Sequence, residues 1–197
     1  MLKLSEIRKR YHKDNGIVKV NLTIEPNHLY LFIGENGSGK STTIKLISKV
    51  IFHSKNDGFI MNHFHKMVYL PDKRAYPKLL RVKTYLRYFL DKSLKEEQIA
   101  FYMNRYHLPN KAIGALSKGM LQKLGILQTI LLDGDLYLFD EPTDGLDGDS
   151  IRIFKEDVKG MLNENKTIII STHNQTIFKD LKPMIYRFKE GICCEKK

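Results

Sequence analysis

The chain has 197 residues, 42% of them apolar and 28% charged, so it is long enough for one globular domain with its own core and too short for two. Its 33 Lys and Arg residues outnumber its 22 Asp and Glu residues and give a formal net charge of +11, which favours an anionic partner such as nucleic acid, lipid or a small anionic ligand. No run approaches the roughly 20 consecutive apolar residues that cross a bilayer, and no signal-peptide core follows Met1, so we expect a cytosolic chain unless a partner holds it at a membrane.

The N-terminal part contains two strand patterns followed by a helix pattern. Apolar and polar residues alternate over 17–25, as in a half-buried strand. Residues 29–33 form a continuous apolar run, which predicts a strand buried on both faces. A glycine-rich loop follows, and apolar residues at helical spacing then predict a helix over 42–50.

Strand and helix patterns alternate along the rest of the chain. Short apolar runs that indicate buried strands lie at 67–70, 136–139 and 167–170. Helical spacing is found at 79–106, 117–132 and 149–163. This order predicts an α/β fold with a mostly parallel sheet covered on both faces. Residues of about 74–132 show few strand signals, so we expect one domain over 1–197 with a core of about 1–73 and 133–190 and a helical subdomain between them.

Two local features have open interpretations. Residues 61–92 hold eight Lys or Arg against Asp72 and Asp91, a net charge of +6. A solvated face is the usual meaning of such a stretch, and a surface near anionic lipid headgroups is the sharper one. The adjacent Cys193 and Cys194 exclude a disulfide framework, and we expect them in an exposed tail as reduced thiols.

The glycine-rich loop has the spacing of a phosphate-binding loop. Its eight residues are Gly34, Glu35, Asn36, Gly37, Ser38, Gly39, Lys40 and Ser41, and Thr42 follows them. Glycines let the backbone amides wrap around phosphates, and the helix that begins after the loop adds its positive end. Lys40 is expected to reach the β- and γ-phosphates and Ser41 to ligate Mg²⁺. The buried strand before the loop and the helix after it support this prediction.

Charged and polar side chains follow two of the later buried strands. Asp140 and Glu141 come directly after the run 136–139, where α/β sheets bind their ligands. Asp140 is suited to Mg²⁺ and Glu141 to polarising the attacking water as a general base. His173 follows the run 167–172 in the same way, and we favour a contact with the γ-phosphate over a purely structural role.

The segment Leu116-Ser117-Lys118-Gly119-Met120 resembles the signature motif of the ABC (ATP-binding cassette) ATPase family. The resemblance covers about residues 2–190 and implies the ABC ATPase fold, with an N-terminal antiparallel β region. It implies that Ser117 and Gly119 contact the γ-phosphate of ATP held by a second cassette, so that ATP is sandwiched in a dimer. It also implies that Tyr11 stacks on adenine, that 144–147 crosses the dimer interface, and that His173 is the switch histidine.

Two positions depart from the family pattern. Lys118 and Met120 replace a glycine and the glutamine of the signature, a variant similar to those in bacterial exporters of drugs or antimicrobial peptides. Asp72 stands where the family has a glutamine that touches Mg²⁺ and water. A carboxylate is a hard oxygen ligand, so Asp72 is expected to bind Mg²⁺ and to alter turnover, unless it is only a turn residue after Pro71.

Three functions fit a phosphate-binding loop of this kind. The resemblance favours the ATP-binding subunit of an ABC transporter, an ATPase that powers a separate permease at the inner face of the membrane, and the signature variant favours export. A soluble ABC ATPase acting on ribosomes or nucleic acid is the alternative, although such relatives carry two cassettes or long coiled coils. A P-loop kinase or GTPase is disfavoured by the signature segment. We therefore expect ATP, Mg²⁺, a permease and a second identical or different cassette as partners, and no nucleic acid.

Overall fold

The computed structural model describes residues 1–12, 15–53, 58–89 and 96–196, including their side chains except at 10–12, 15 and 194–196. The strands are β1 (Leu2–His12), β2 (Asn15–Ile24), β3 (Leu29–Ile33), β4 (Phe59–Asn62), β5 (Met67–Leu70), β6 (Leu136–Asp140), β7 (Thr167–Thr172), β8 (Met184–Lys189) and β9 (Ile192–Lys196). The helices are α1 (Lys40–Ile47), α2 (Val82–Phe89), α3 (Glu96–Arg105), α4 (Lys118–Ile130) and α5 (Gly148–Asn163), and short 3-10 helices span Ile113–Ala115 and Gln175–Leu181. None of the described helices is both long and apolar enough to cross a lipid bilayer.

The described strands form one sheet in the order β4-β1-β2-β9-β8-β3-β7-β6-β5. Its half from β8 to β5 is parallel, while β1 pairs antiparallel with both β2 and β4. Every residue of β3, β6 and β7 is buried. The expected α/β fold with a parallel core and an N-terminal antiparallel region is therefore confirmed.

Two apolar cores cover the two faces of the sheet. Successive side chains of a strand point to opposite faces, so neighbours in β3 enter different cores. Leu31 belongs to the core that includes residues of α2 to α5, and Phe32 belongs to the core that includes residues of α1, β1 and β2. The continuous apolar runs read from the sequence are thus explained by burial on both sides.

The segment between β5 and β6 is helical, as its sequence indicates. It contains α2, α3 and α4, and the described residues of 74–132 include no strand beyond an isolated bridge between Arg81 and Ala112. Leu86 of α2 and Ile99 of α3 are buried in the core that α4 also enters. This arrangement places α4 against the sheet. The signature segment then lies at the N-terminus of α4.

Two expectations about element ends are wrong. The helix predicted to reach Val50 ends at Ile47, because Lys49 adopts a left-handed φ of 59°, and Val50 is 59% exposed. The expected exposed C-terminal tail is strand β9, which pairs with β8 and β2. Cys193 is consequently buried in the core that also contains Val20 of β2 and Phe188 of β8.

Candidate functional site

The phosphate loop connects the end of β3 to the start of α1. Gly37 and Gly39 have φ of 81° and 108°, in the left-handed region that glycine adopts without steric cost. Lys40, the first residue of α1, is only 4% exposed and turns its side chain back into the loop. Its Nζ donates hydrogen bonds of 2.7 Å to the Gly34 carbonyl and 3.1 Å to the Glu35 carbonyl. The ammonium is therefore held where the loop would enclose a phosphate.

A buried carboxylate stands at the end of β6 beside this loop. The Ser41 hydroxyl donates a 2.8 Å hydrogen bond to Oδ1 of Asp140, and the Ser171 hydroxyl donates to the same oxygen at 2.6 Å. Asp140 is 1% exposed, and its buried Oδ2 has no described hydrogen-bond donor at normal distance, although the Tyr69 hydroxyl lies near the carboxylate. A buried carboxylate oxygen that lacks a donor costs free energy unless another group binds it. Asp140 is thus suited to a cation or its bound water.

The next residue, Glu141, adopts an unusual backbone conformation. Its φ of 47° is rare for a residue with a Cβ and is a local strain of the kind found at functional sites. Its amide donates to Ser171 Oγ at 2.9 Å, so β7 fixes this peptide. Its side chain is 12% exposed, with Oε1 3.6 Å from Lys40 Nζ and Oε2 3.3 Å from His173 Nδ1. The predicted base and the switch histidine are in contact.

Lys40, Ser41 and Glu141 line one cavity of about 420 Å³ at the carboxyl ends of the central strands. Asp140 lies next to this cavity through its hydrogen bond with Ser41, and His173 through its contact with Glu141. The cavity is lined by Gly16, Asn36, Gly37, Ser38, Gly39, Lys40, Ser41, Thr42, Asp72, Glu141 and Asp144. Asp72 is exposed at the mouth of the cavity, after the end of β5. Gly34 and Glu35 line a neighbouring cavity of about 400 Å³ behind the loop. The sequence-predicted residues of the loop and the strand ends are therefore gathered at one place.

His173 lies at the edge of this cavity. Its side chain is 62% exposed, and its Nδ1 is 3.9 Å from Asp144 Oδ1 as well as near Glu141. Asp144, part of the predicted interface segment 144–147, therefore also lines the cavity beside the histidine. Tyr11, expected to stack on adenine, belongs to β1, and its side chain lies outside the described part of the structure.

The signature segment lies at the start of α4, apart from the cavity lining. The Ser117 hydroxyl accepts a hydrogen bond from the Met120 amide at 3.3 Å, so Ser117 is the N-cap of α4. Gly119 packs against the Gly145 carbonyl, and a Cβ on Gly119 would lie 2.7 Å from that oxygen. The signature segment therefore packs against residues 144–147, so these two predicted parts of the dimer interface are in contact.

Asp147 connects the segment 144–147 to α4. It caps α5 by accepting from the Ser150 amide at 2.8 Å and forms a 3.0 Å ion pair with Lys123 of α4. Hydrogen bonds from Ser150 and then from Lys123 hold the pKa of the Asp147 carboxyl well below its usual range. Asp147 is consequently ionised at neutral pH and fixes the start of α5 relative to α4.

Two residues of the site escaped the sequence analysis. Gln122 of α4 is 7% exposed and donates to the carbonyls of Glu141 and Pro142. Ser171 is fully buried within the apolar run of β7. Ser171 directly follows the apolar run 167–170, and its polar side chain there was the available signal. The sequence pattern offered none for Gln122.

Residues 17–144, well over half of the chain, match the sequence model of the family described as ABC transporter. This chain belongs to the ABC transporter family. It is an ATP-binding cassette, which is an ATPase that binds nucleotide and is coupled to transport. The motif that suggested the family and the geometry of the cavity agree with the match.

Curated relatives extend the similarity over nearly all of the cassette. The ABC transporter ATP-binding protein NatA of Bacillus subtilis is 31% identical over 196 residues, covering 88% of this chain and 79% of NatA. The lantibiotic transport ATP-binding protein SrtF of Streptococcus pyogenes is 30% identical, covering 97% of this chain and 88% of SrtF.

Solved structures have the same fold. An ATP-binding subunit of an ABC transporter superimposes with a TM-score of 0.86 at 24% identity, over 99% of this chain and 90% of that one. A dimeric ATP-binding cassette in a post-hydrolysis state with ADP and Pi gives a TM-score of 0.84 at 19% identity, over 100% and 98% of the two chains. At these identities the likeness supports the fold.

Proposed function

We propose that the cassette binds MgATP between two subunits and hydrolyses it to drive a separate membrane permease that exports its substrate. The observation that carries the proposal is the meeting of Lys40, Asp140, Glu141 and His173 at the carboxyl ends of β3, β6 and β7. The whole chain acts as one domain, with a helical subdomain of about 74–132.

The residues at the cavity fit Mg²⁺. Ser41 offers a hydroxyl, Asp140 offers its buried Oδ2, and Asp72 adds an exposed carboxylate to the same cavity. Hard oxygen donors of this kind suit Mg²⁺, which retains part of its water shell in proteins. When bound, the ion would neutralise developing charge on the phosphates.

The other residues of the cavity take complementary roles in hydrolysis. The loop amides and Lys40 bind the β- and γ-phosphates, with Gly34 to Thr42 forming the cradle. Glu141 orients the attacking water and accepts its proton. His173, next to Glu141, contacts the γ-phosphate. The largest contribution expected from such a site is electrostatic stabilisation of the phosphoryl group by fixed charges.

A second cassette completes the site in this proposal. Ser117 and Gly119 stand at the N-terminus of α4, where backbone amides and the helix dipole favour an anion. They do not line the cavity of their own chain. We therefore assign them to the ATP held by the partner, and Tyr11 to the adenine of their own chain's ATP. Closure of the two subunits on ATP then drives the permease by a differential fit to its two states.

The proposed partner is a polytopic permease that holds the cassette at the inner face of the membrane, with no nucleic acid involved. Residues 61–92 carry a net charge of +6, and Leu79 and Tyr88 within them are 95% and 82% exposed. A basic and apolar surface suits a site beside anionic headgroups. Export is supported by Lys118 and Met120 of the signature segment, a variant similar to those of bacterial exporters.

The experiment is a tagged pull-down from detergent-solubilised membranes of the native host, followed by mass spectrometry and by ATPase assay of the reconstituted complex. A stoichiometric polytopic membrane protein that changes the ATPase rate is the expected result. Transport direction is then read from which side of sealed vesicles accumulates the cargo in the presence of ATP. Recovery with ribosomes or nucleic acid in the soluble fraction would instead favour a non-transport ATPase.

A further inference from the structure

The peptide that carries Glu141 is held from both of its ends by buried side chains. Its amide donates to Ser171 of β7, and its carbonyl accepts a 3.3 Å hydrogen bond from Gln122 Nε2. The same Nε2 donates to the Pro142 carbonyl at 2.7 Å. Because Glu141 has a φ of 47°, its conformation persists only if its surroundings hold it there. Gln122 and Ser171 therefore hold the strained backbone from which the Glu141 side chain projects.

The orientation of the Gln122 amide depends on Arg74. Nη2 of Arg74 donates to Gln122 Oε1, and this leaves Nε2 facing the two carbonyls. If the amide were reversed, its oxygen would face two carbonyl oxygens and its NH₂ group would face a guanidinium. The reversed orientation would therefore lose the hydrogen bonds to the two carbonyls and the one from Arg74, in a place that is shielded from solvent. The guanidinium thus selects the orientation in which Gln122 can donate to the catalytic peptide.

Stability alone does not account for Arg74. Its Nη1 is buried without a hydrogen bond to any described residue. Within the described part of the chain, arginine ion pairs are formed by Arg87, Arg105 and Arg152 and not by Arg74. A buried cationic nitrogen without a counter-charge is unfavourable.

The guanidinium lies directly beside Gly125 of α4. A Cβ on Gly125 of α4 would overlap the Arg74 side chain. Among the described residues, the hydrogen bond of this guanidinium goes to Gln122 and no ion pair offsets its charge, so we explain its placement by what the Gln122 contact positions.

We propose that Arg74 is a positioning residue for ATP hydrolysis, acting through Gln122 on the backbone of Glu141. The inference rests on the proposed role of Glu141 in activating water. Arg74 lies two residues after Asp72, in the segment that connects β5 to α2. It therefore connects the loop at the mouth of the cavity to the backbone of Glu141. It contacts no predicted ligand group itself, so its effect is expected on the rate of hydrolysis and not on nucleotide affinity.

The test compares four variants of the full chain: Arg74→Met, Arg74→Lys, Gln122→Glu and the double variant Arg74→Met/Gln122→Glu. We measure kcat for ATP hydrolysis per folded cassette and Kd for ADP by calorimetry. Arg74→Met is expected to lower kcat by about tenfold or more, since small errors in placing a catalytic group cost up to about a hundredfold. Kd for ADP stays within about threefold, which is under 1 kcal/mol.

The remaining variants distinguish a relay from simple packing. Arg74→Lys retains one donor for Gln122 and recovers part of kcat. Gln122→Glu retains the acceptor for Arg74 but removes the donor to the carbonyls, so kcat falls although the Arg74 contact remains. The double variant is no worse than Gln122→Glu alone, because residues acting in series are not additive. Arg152→Met, on the exposed face of α5, is the matched control and keeps the wild-type kcat and Kd.

Two outcomes overturn the inference. One is a wild-type kcat in Arg74→Met together with an inactive Glu141→Gln, which leaves the role of Glu141 intact and removes that of Arg74. The other is a parallel loss of kcat and ADP affinity with no recovery in Arg74→Lys, which makes Arg74 a packing residue. Hydrolysis at the wild-type rate in Glu141→Gln would instead contradict the proposed function on which the inference rests.

Discussion

Nδ1 of His173 lies 3.3 Å from Oε2 of Glu141, so the predicted base and the predicted γ-phosphate ligand form one unit. Lys40 approaches the other oxygen of the carboxylate at 3.6 Å. The Glu141 side chain is 12% exposed, and its charge is therefore poorly screened by solvent. A carboxylate placed between two cationic or hydrogen-bonding groups is well oriented to accept a proton from a water that attacks a phosphate.

Replacing the carboxylate by its amide tests this role. Glu141→Gln retains the size and shape of the side chain and removes its basicity, so we expect kcat to fall by roughly a hundredfold or more. Binding of ATP should be retained, and the unhydrolysed nucleotide should hold the cassettes as dimers. Phosphate release and gel filtration with MgATP measure the two effects. Turnover at the wild-type rate would show that another group activates the water.

The carboxylate of Asp72 predicts a distinctive response to Mg²⁺. It lines the same cavity as Ser41 and Glu141 and adds a negative charge where the family has an amide. We expect Asp72→Gln to shift the Mg²⁺ concentration that gives half-maximal ATPase activity, or to change the maximal rate. A complete Mg²⁺ titration of both proteins checks this. Superimposable titration curves would leave Asp72 as a turn residue after Pro71.

The hydroxyl of Ser171 connects the two acidic residues of the site. It donates to Asp140 at 2.6 Å, accepts from the Glu141 amide at 2.9 Å, and is fully buried. Ser171→Ala removes both interactions, so we expect a loss of about 1–3 kcal/mol in unfolding free energy and a lower kcat. Urea denaturation and ATPase assays measure the two effects.

A serine outside the site provides the comparison for this variant. The Ser48 hydroxyl donates to the Lys45 carbonyl at the end of α1. Ser48→Ala is expected to change the unfolding free energy by less than about 0.5 kcal/mol and to leave kcat unchanged. Equal effects of the two substitutions would contradict the role given to Ser171.

The sequence predicted the part of the site whose chemistry requires fixed residue types at fixed spacing. The loop that includes Gly37, Gly39 and Lys40 is of this kind, because its backbone conformation and its charge both follow from residue identity. Gln122 and Ser171 were missed because their roles depend on which backbone groups the fold brings to them.

The same distinction holds for the elements of the fold. β3, β6 and β7 are visible as apolar runs since they are buried on both faces. β9 was not predicted, because its pairing with β2 and β8 is a property of the assembled sheet.

The contact between α3 and α5 predicts a pH-dependent stability. Tyr106 donates to Asp157 at 2.7 Å and Arg105 donates at 3.1 Å, yet burial raises the pKa of the Asp157 carboxyl above its ordinary value of 3.8. A raised folded-state pKa means that its contribution is favourable at low pH and is lost as pH rises through that pKa. The unfolding free energy of wild type minus that of Asp157→Asn should therefore decrease from about pH 3.5 to about pH 7.

Asp133 supplies a control with the opposite sign. Its hydrogen bond with Lys166 lowers the pKa of the Asp133 carboxyl, so its contribution is present above its ordinary pKa and is lost as pH falls. The difference between wild type and Asp133→Asn should increase over the same range. Urea denaturation at several pH values measures both slopes. Slopes of the same sign for the two variants would contradict the assignment of burial as the dominant effect at Asp157.

The packing of Gly119 on residues 144–147 predicts that an added methyl group disturbs the proposed dimer interface. A Cβ at this position would lie 2.7 Å from the Gly145 carbonyl oxygen, so Gly119→Ala must displace either the signature segment or the neighbouring loop. We expect binding of ADP to one cassette to be unchanged, because Gly119 does not line the cavity of its own chain. ATP-dependent dimerisation in the Glu141→Gln background should weaken by about tenfold or more, the effect of roughly 1.4 kcal/mol.

Gly160 of α5 separates this effect from the general consequences of adding a methyl group to a helix. A Cβ there meets no atom within 4 Å, so Gly160→Ala should stabilise the cassette by about 0.5–1 kcal/mol and leave dimerisation unchanged. Sedimentation with and without MgATP measures the association of each variant. If Gly119→Ala forms dimers as readily as Gly160→Ala, the loop absorbs the methyl group, and the contact between Gly119 and Gly145 does not shape the surface that meets the second cassette.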